Sequence, residues 1–257
     1  MADMSLITTD LQRGGAVARL TVNRPTKLNS LTPEAIAELT QAAERLQRME
    51  RLRAVVLTGA GDKAFVGGAD IHTLASLDTR GARAFITALH LAIAAVGAIP
   101  VPVIARVNGW CLGAGLELAI GCDLLVAAEH AMFGMPEVKV GVPSVIEAAL
   151  LPRLVGWGKA AELVLLGENI DAREAHRIGL VQKVVPAAAL DQAVEGWIEA
   201  LLAAGPQAVR LQKKLLRRWA VLPVDQAIEA GIDALAEAYT SDEPARLAGA
   251  FAQRPRG

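Results

Sequence analysis

Aromatic residues make up only 4% of this 257-residue chain, although 53% of its residues are hydrophobic. Ala, Val, Leu and Ile must therefore build the core, and so large an apolar fraction excludes a disordered chain. Cysteine is nearly missing. Cys111 and Cys122 both stand in apolar context with no C-x-x-C pair, so no disulfide framework is expected and a reducing, cytoplasmic compartment is the simplest setting. The four histidines, His72, His90, His130 and His176, lack metal-ligand spacing, and no metal is expected. Charge of one sign is missing too. The net charge is −1, and no domain-sized basic region exists to engage nucleic acid. Long hydrophobic runs are interrupted. His90, Pro100 and Pro102 break the stretch 89–105, and Glu147 breaks the stretch 145–151, so no membrane span is expected. The opening Met-Ala-Asp-Met-Ser-Leu carries an early acid and no basic region before an apolar one, so no signal or transit peptide is expected.

What is present is strand–helix alternation followed by a helical tail. Residues 16–22 alternate and end at Asn-Arg-Pro, the exit of a strand. Thr32, Pro33 and Glu34 supply a cap, a first-turn proline and an early acid, after which Ile36, Leu39, Ala43 and Leu46 recur at helical spacing. Residues 53–58 read as a buried strand, 59–71 as a glycine-rich loop, and 79–98 as a helix with Phe85, Leu89, Ile93 and Val96 on one face. Strands are expected at 102–107, 122–127, 131–133 and, late in the chain, 180–185. This order predicts an α/β core over 1–190 and a helical region over 191–257.

Two glutamates stand out within this frame. Glu117 closes the run Val107-Asn-Gly-Trp-Cys-Leu-Gly-Ala-Gly-Leu-Glu117, a strand, a glycine turn and a helix start. Glu137 ends Met132-Phe-Gly-Met-Pro-Glu137, a loop after another apolar strand. Two carboxylates converging on one pocket can hold a water and move two protons. Two glycine segments accompany them, Gly67-Gly68-Ala69 and Gly113-Ala114-Gly115. Missing side chains let a ligand approach the backbone, and N–H groups near a helix start lack partners. Two such groups aimed at one point would stabilise charge on a carbonyl oxygen. The match of Gly59-Ala-Gly-Asp-Lys-Ala64 to a dinucleotide fingerprint is a decoy, because Gly67 and Gly68 fall where its helix should propagate.

Four segments in this order carry a family resemblance: Asn23-Arg-Pro-Thr-Lys-Leu-Asn-Ser-Leu31, Lys63-Ala-Phe-Val-Gly-Gly-Ala-Asp-Ile71, Val107 to Leu118, and Phe133-Gly-Met-Pro-Glu137. Together they resemble the enoyl-CoA hydratase/isomerase (crotonase) family over nearly the whole chain. The resemblance implies a crotonase-like spiral of ββα units with a helical C-terminal trimerisation region, and a homotrimer or dimer of trimers. It implies an acyl-CoA thioester substrate, with CoA part of the substrate and no separate cofactor. The N–H groups of Ala69 and Ala114 would form the oxyanion hole. Lys27, Leu28, Ala64, Gly67, Gly68, Ala69, Asp70 and Ile71 would contact CoA, as would Arg254 in a terminal segment similar to the family's. Retention of both Glu117 and Glu137 favours a hydratase, with Glu117 activating water and Glu137 protonating C2. An enoyl-CoA isomerase is the alternative.

The chain departs from the family after Gly141. Typical hydratases carry a Pro-Gly-Ala-Gly-Gly run there, whereas this sequence reads Val-Pro-Ser-Val-Ile-Glu147. Bulkier Val145 and Ile146 are expected to reshape the acyl pocket, beside Trp110 and Met135 as further candidates. Glu147 is a third carboxylate, either on a helix surface or, as in some isomerases of the family, in the reaction itself.

Overall fold

The computed structural model describes residues 5–252. The chain opens with an antiparallel pair, β1 (Ile7–Gln12) and β2 (Val17–Val22), followed by α1 (Pro33–Gln47). Thr32 caps α1 as expected, its side chain accepting from the Ala35 N–H. Three strand pairs follow: β3 (Ala54–Gly59) with β4 (Ala64–Val66), β5 (Val103–Val107) with β6 (Trp110–Leu112), and β7 (Leu124–Ala128) with β8 (Met132–Gly134). The first strand of each pair joins a six-stranded sheet ordered β1-β2-β3-β5-β7-β10, where β10 is Lys183–Val185. The second joins a four-stranded sheet ordered β4-β6-β8-β9, where β9 is Ile170–Asp171. From β2 onward the large sheet is parallel. After β4 come α2 (Ile71–Ala75) and α3 (Thr79–Gly97), and after β6 comes α4 (Ala114–Ile120). Each repeat is thus a ββα turn of a spiral, as the sequence implied.

The large sheet is covered on both faces, so its strands need not alternate. All six residues of β3 are buried. On one side α1 and α3 pack Leu39, Ala43, Leu89 and Ile93 into the main core. On the other, α8 (Leu190–Ala203) lays Leu190, Val194 and Ile198 over Val17, Val56, Ile104 and Val126. Each fully buried Val, Leu or Ile contributes about 1.5–3 kcal/mol. The expected boundary at 190 falls at the start of α8, which belongs to this packing. Beyond it run α9 (Pro206–Trp219), α10 (Val224–Ala238) and α11 (Glu243–Ala252). Before it lie a 3-10 turn at Ile146–Leu150, α5 (Leu151–Val155), α6 (Trp157–Leu166) and α7 (Ala172–Arg177).

Several expectations need correction. The stretch 59–71 is not all loop, because β4 lies inside it. Two buried amides pin its edges. Asn29 Nδ2 donates to the Ala60 and Ala64 carbonyls, and Asn108 Nδ2 donates to those of Gly59, Gly61 and Ala64. The strand expected at 122–127 begins only at Leu124, since the Cys122 N–H bonds to the Ala119 carbonyl at the end of α4. The late strand shortens to β10, because the Leu180 and Val181 N–H groups both close onto Ala175. Among the described residues, no helix is long and apolar enough to cross a membrane.

Candidate active site

The two glycine segments meet at the top of the small sheet. Gly68 has φ 112°, and a Cβ there would sit 3.3 Å from the Leu112 carbonyl oxygen. Gly113 has φ 50° and ψ −121°, a conformation open to glycine alone, and a Cβ on it would collide with Glu137 Oε1. The missing side chain therefore makes room for a carboxylate. Leu31 N–H donates to the Gly68 carbonyl and Asp70 N–H to the Leu31 carbonyl, an isolated parallel bridge that leaves the N–H of Ala69 on the side away from Leu31. Ala114 is the first residue of α4, so no carbonyl of its own helix can take its N–H. Ala69 and Ala114 both line one cavity of about 740 Å³.

Glu117 and Glu137 line the same cavity. Glu117 projects from α4 and is 3% exposed. Its Oε1 accepts from the Ala148 N–H at 3.2 Å. Burial pushes its carboxyl up to about 8, and the neighbouring Glu137 and Glu147 carboxylates push the same way. Glu137 sits in a 3-10 turn at Pro136–Val140, where its Oε2 accepts from Ser144 Oγ at 2.8 Å. Burial raises its proton affinity too, against the Ser144 hydrogen bond. Two carboxyls in one apolar cavity cannot both ionise cheaply, so they titrate as a pair.

The other candidates separate by position. Gly67, Gly68, Ile71 and Val145 line the cavity. Trp110, Met135, Ile146 and Glu147 are not among its lining residues. Met135 is wholly buried, and Glu147 turns to His90, with 2.7 Å between Oε1 and Nδ1. Lys27 and Leu28 stand on an exposed turn beside it, where the Leu28 carbonyl accepts from the Gly67 N–H. Ala64 is buried in β4, its carbonyl taken by the two asparagines. Asp70 caps α2 through the His72 and Thr73 N–H groups and pairs with Arg24 at 3.3 Å. Arg254 lies outside the described residues.

Sequence reasoning missed Ser144 and the wall formed by α2 and α3. Leu74, Phe85, Ile86 and Leu89 line the cavity. The periodicity of α3 had marked Phe85 and Leu89 as apolar, and that face turns out to serve core and cavity together. The turn that carries Val145 is strained. Ile146 has φ 39°, unusual for a β-branched residue, at a cost of about 1–3 kcal/mol.

A ββα spiral thus gathers two carboxyls, from Glu117 and Glu137, with Ala69 and Ala114 around one largely apolar cavity. Residues 12–253 match the model of the enoyl-CoA hydratase/isomerase family, and the chain belongs to that family. It is 35% identical over 252 residues to a short-chain-enoyl-CoA hydratase of Clostridium acetobutylicum, covering 98% of this chain and 97% of that one. It is 36% identical over 245 residues to a crotonyl-CoA hydratase of Syntrophomonas wolfei, covering 95% and 94%. An enoyl-CoA hydratase structure from Bacillus anthracis superposes with a TM-score of 0.93 at 31% identity, covering 97% of this chain and 96% of that one.

Proposed function

We propose that this protein is an enoyl-CoA hydratase, adding water reversibly across the C2=C3 bond of a 2-enoyl-CoA to give a 3-hydroxyacyl-CoA. The observation that carries this reading is the shared cavity of Glu117, Glu137, Ala69 and Ala114. The thioester oxygen accepts from the Ala69 and Ala114 N–H groups, which makes C3 electrophilic. Water attacks C3 and gives a proton to the Glu117 carboxylate. The C2=C3 electron pair moves onto the enolate held by the two N–H groups, and Glu137 delivers its proton to C2. Each oxyanion donor is worth ~3 kcal/mol at the transition state.

The pair must carry one proton for either direction. Hydration starts with it on Glu137 and ends with it on Glu117. Burial raises the proton affinity of both carboxyls, which favours a proton held by the pair in the empty site. Between hydrations the proton returns to Glu137. The isomerase alternative through Glu147 has less geometric support, because that carboxylate faces His90 and does not line the cavity.

The same reading extends to CoA contacts along 67–71 and the Lys27–Leu28 turn, to a homotrimer or dimer of trimers joined through the helices after 190, and to a cytoplasmic role in fatty acyl thioester metabolism. The test is turnover of crotonyl-CoA followed by loss of the conjugated thioester absorbance. Glu117→Gln and Glu137→Gln should each lower kcat about 10²–10⁴-fold. Near wild-type rates in both variants would refute the roles assigned to them.

A further inference from the structure

The segment that replaces the glycine-rich run needs a reason to hold its shape. Its 3-10 turn, Ile146–Leu150, starts from a left-handed isoleucine and packs against both α3 and α4. One hydrogen bond ties it to each helix. Toward α4, the Ala148 N–H, which also closes onto the Val145 carbonyl at 2.9 Å within the turn, reaches Glu117 Oε1 at 3.2 Å. Toward α3, Glu147 Oε1 lies 2.7 Å from His90 Nδ1. A carboxylate only accepts, so Nδ1 carries the proton and donates. The Glu147 side chain is 12% exposed, and its Oε2 is buried with no hydrogen-bond partner among the described residues. A carboxylate so placed is costly, and its bond to His90 is what offsets that cost. The peptide N–H that reaches Glu117 belongs to the bond joining residues 147 and 148. Whatever fixes Glu147 therefore also fixes that donor.

We propose that His90 and Glu147 form a positioning clamp, which ties the turn at 146–150 to α3 and so holds the Ala148 N–H on Glu117 in the orientation that water activation needs. His90 and Glu147 touch no substrate on this view. They act through Glu117, and the inference rests on the hydratase reading. Glu117 has this single hydrogen-bond donor among the described residues, so its rotation is governed by where Ala148 stands.

The test is steady-state kinetics with crotonyl-CoA on wild type, His90→Leu, His90→Asn and Glu147→Ala. His90 is half exposed on α3, so its replacement leaves the core untouched. In His90→Leu and Glu147→Ala, kcat should fall about 10- to 100-fold while KM changes less than about twofold. Asparagine places an N–H donor close to where Nδ1 stands, and His90→Asn should recover most of the loss. Added to Glu117→Gln, His90→Leu should cost nothing further, because the clamp works only through that residue. Unchanged kcat in His90→Leu, or a rise in KM alone, would overturn the clamp. So would inactivation by Glu147→Ala with His90→Leu intact, which would make Glu147 a reacting acid. Absence of wild-type turnover would instead defeat the hydratase reading itself.

Discussion

Glu117 combines nearly complete burial with a proposed role that requires it to ionise. The same burial that tunes the side chain for proton transfer weakens the fold as pH rises. Its carboxyl titrates near 4.5 when unfolded and at about 8 when folded. Across that window the folded chain binds more protons than the unfolded chain, so stability falls as pH rises. Glu137, also raised by burial, acts in the same direction. Glutamine cannot ionise, so Glu117→Gln should gain in Tm relative to wild type as pH rises from about 4.5 to about 8. Thermal melts at both ends of that range check this. A constant difference in Tm would show that Glu117 does not hold its proton through the window. Such a gain, bought with activity, is the expected trade at a strained or desolvated site.

At the scale of elements, the site depends on two amides that do no chemistry. Asn108 Nδ2 donates to the carbonyls of Gly59, Gly61 and Ala64 at 3.1, 2.6 and 3.2 Å. Its Oδ1 accepts from Thr58 Oγ1. These bonds set the entry to β4 and hence the course of the chain to Ala69. Asn108→Ala leaves buried carbonyls short of a donor and should destabilise by about 1–3 kcal/mol. A shift in the urea midpoint measures it, and an unchanged midpoint would mean solvent replaces those bonds. The helices were the legible elements. Thr32, Pro33 and the spacing of Ile36, Leu39 and Ala43 announced α1 because capping and periodicity are local. β1 went unnoticed because it is an edge strand with only Ile7 buried, so it carries no apolar alternation. β4 and β6 span three residues each, too short for a pattern.

At the scale of the molecule, apolar surface is left over. Along α10 and its C-cap, Val224, Ile228, Ile232, Leu235 and Tyr239 are all exposed, the last at 69%, while within the helix only Ala230 is buried. Trp157 at the start of α6 is 80% exposed. A contiguous apolar face of this kind is what the proposed assembly would bury. Light scattering after size exclusion should therefore give a trimer or hexamer mass, and a monomer at micromolar concentration would sink the proposed assembly. Replacing Ile228 and Ile232 with Glu should dissociate it.

The α/β alternation, the two glutamates and the two glycine segments were legible in the sequence, and its resemblance to the family implied the spiral of ββα units. Those signals are carried by local order along the chain, where residue type and spacing suffice. The tertiary structure alone decided how these segments meet. It placed Glu137 in the space that Gly113 leaves empty and turned Glu147 away from the cavity toward His90. It also buried Glu117 deeply enough to raise its proton affinity. Burial and contact across 20 or more residues arise from packing, which no stretch of sequence encodes in its own spacing. The acid pair was therefore visible in the chain, but its electrostatics and its support were not.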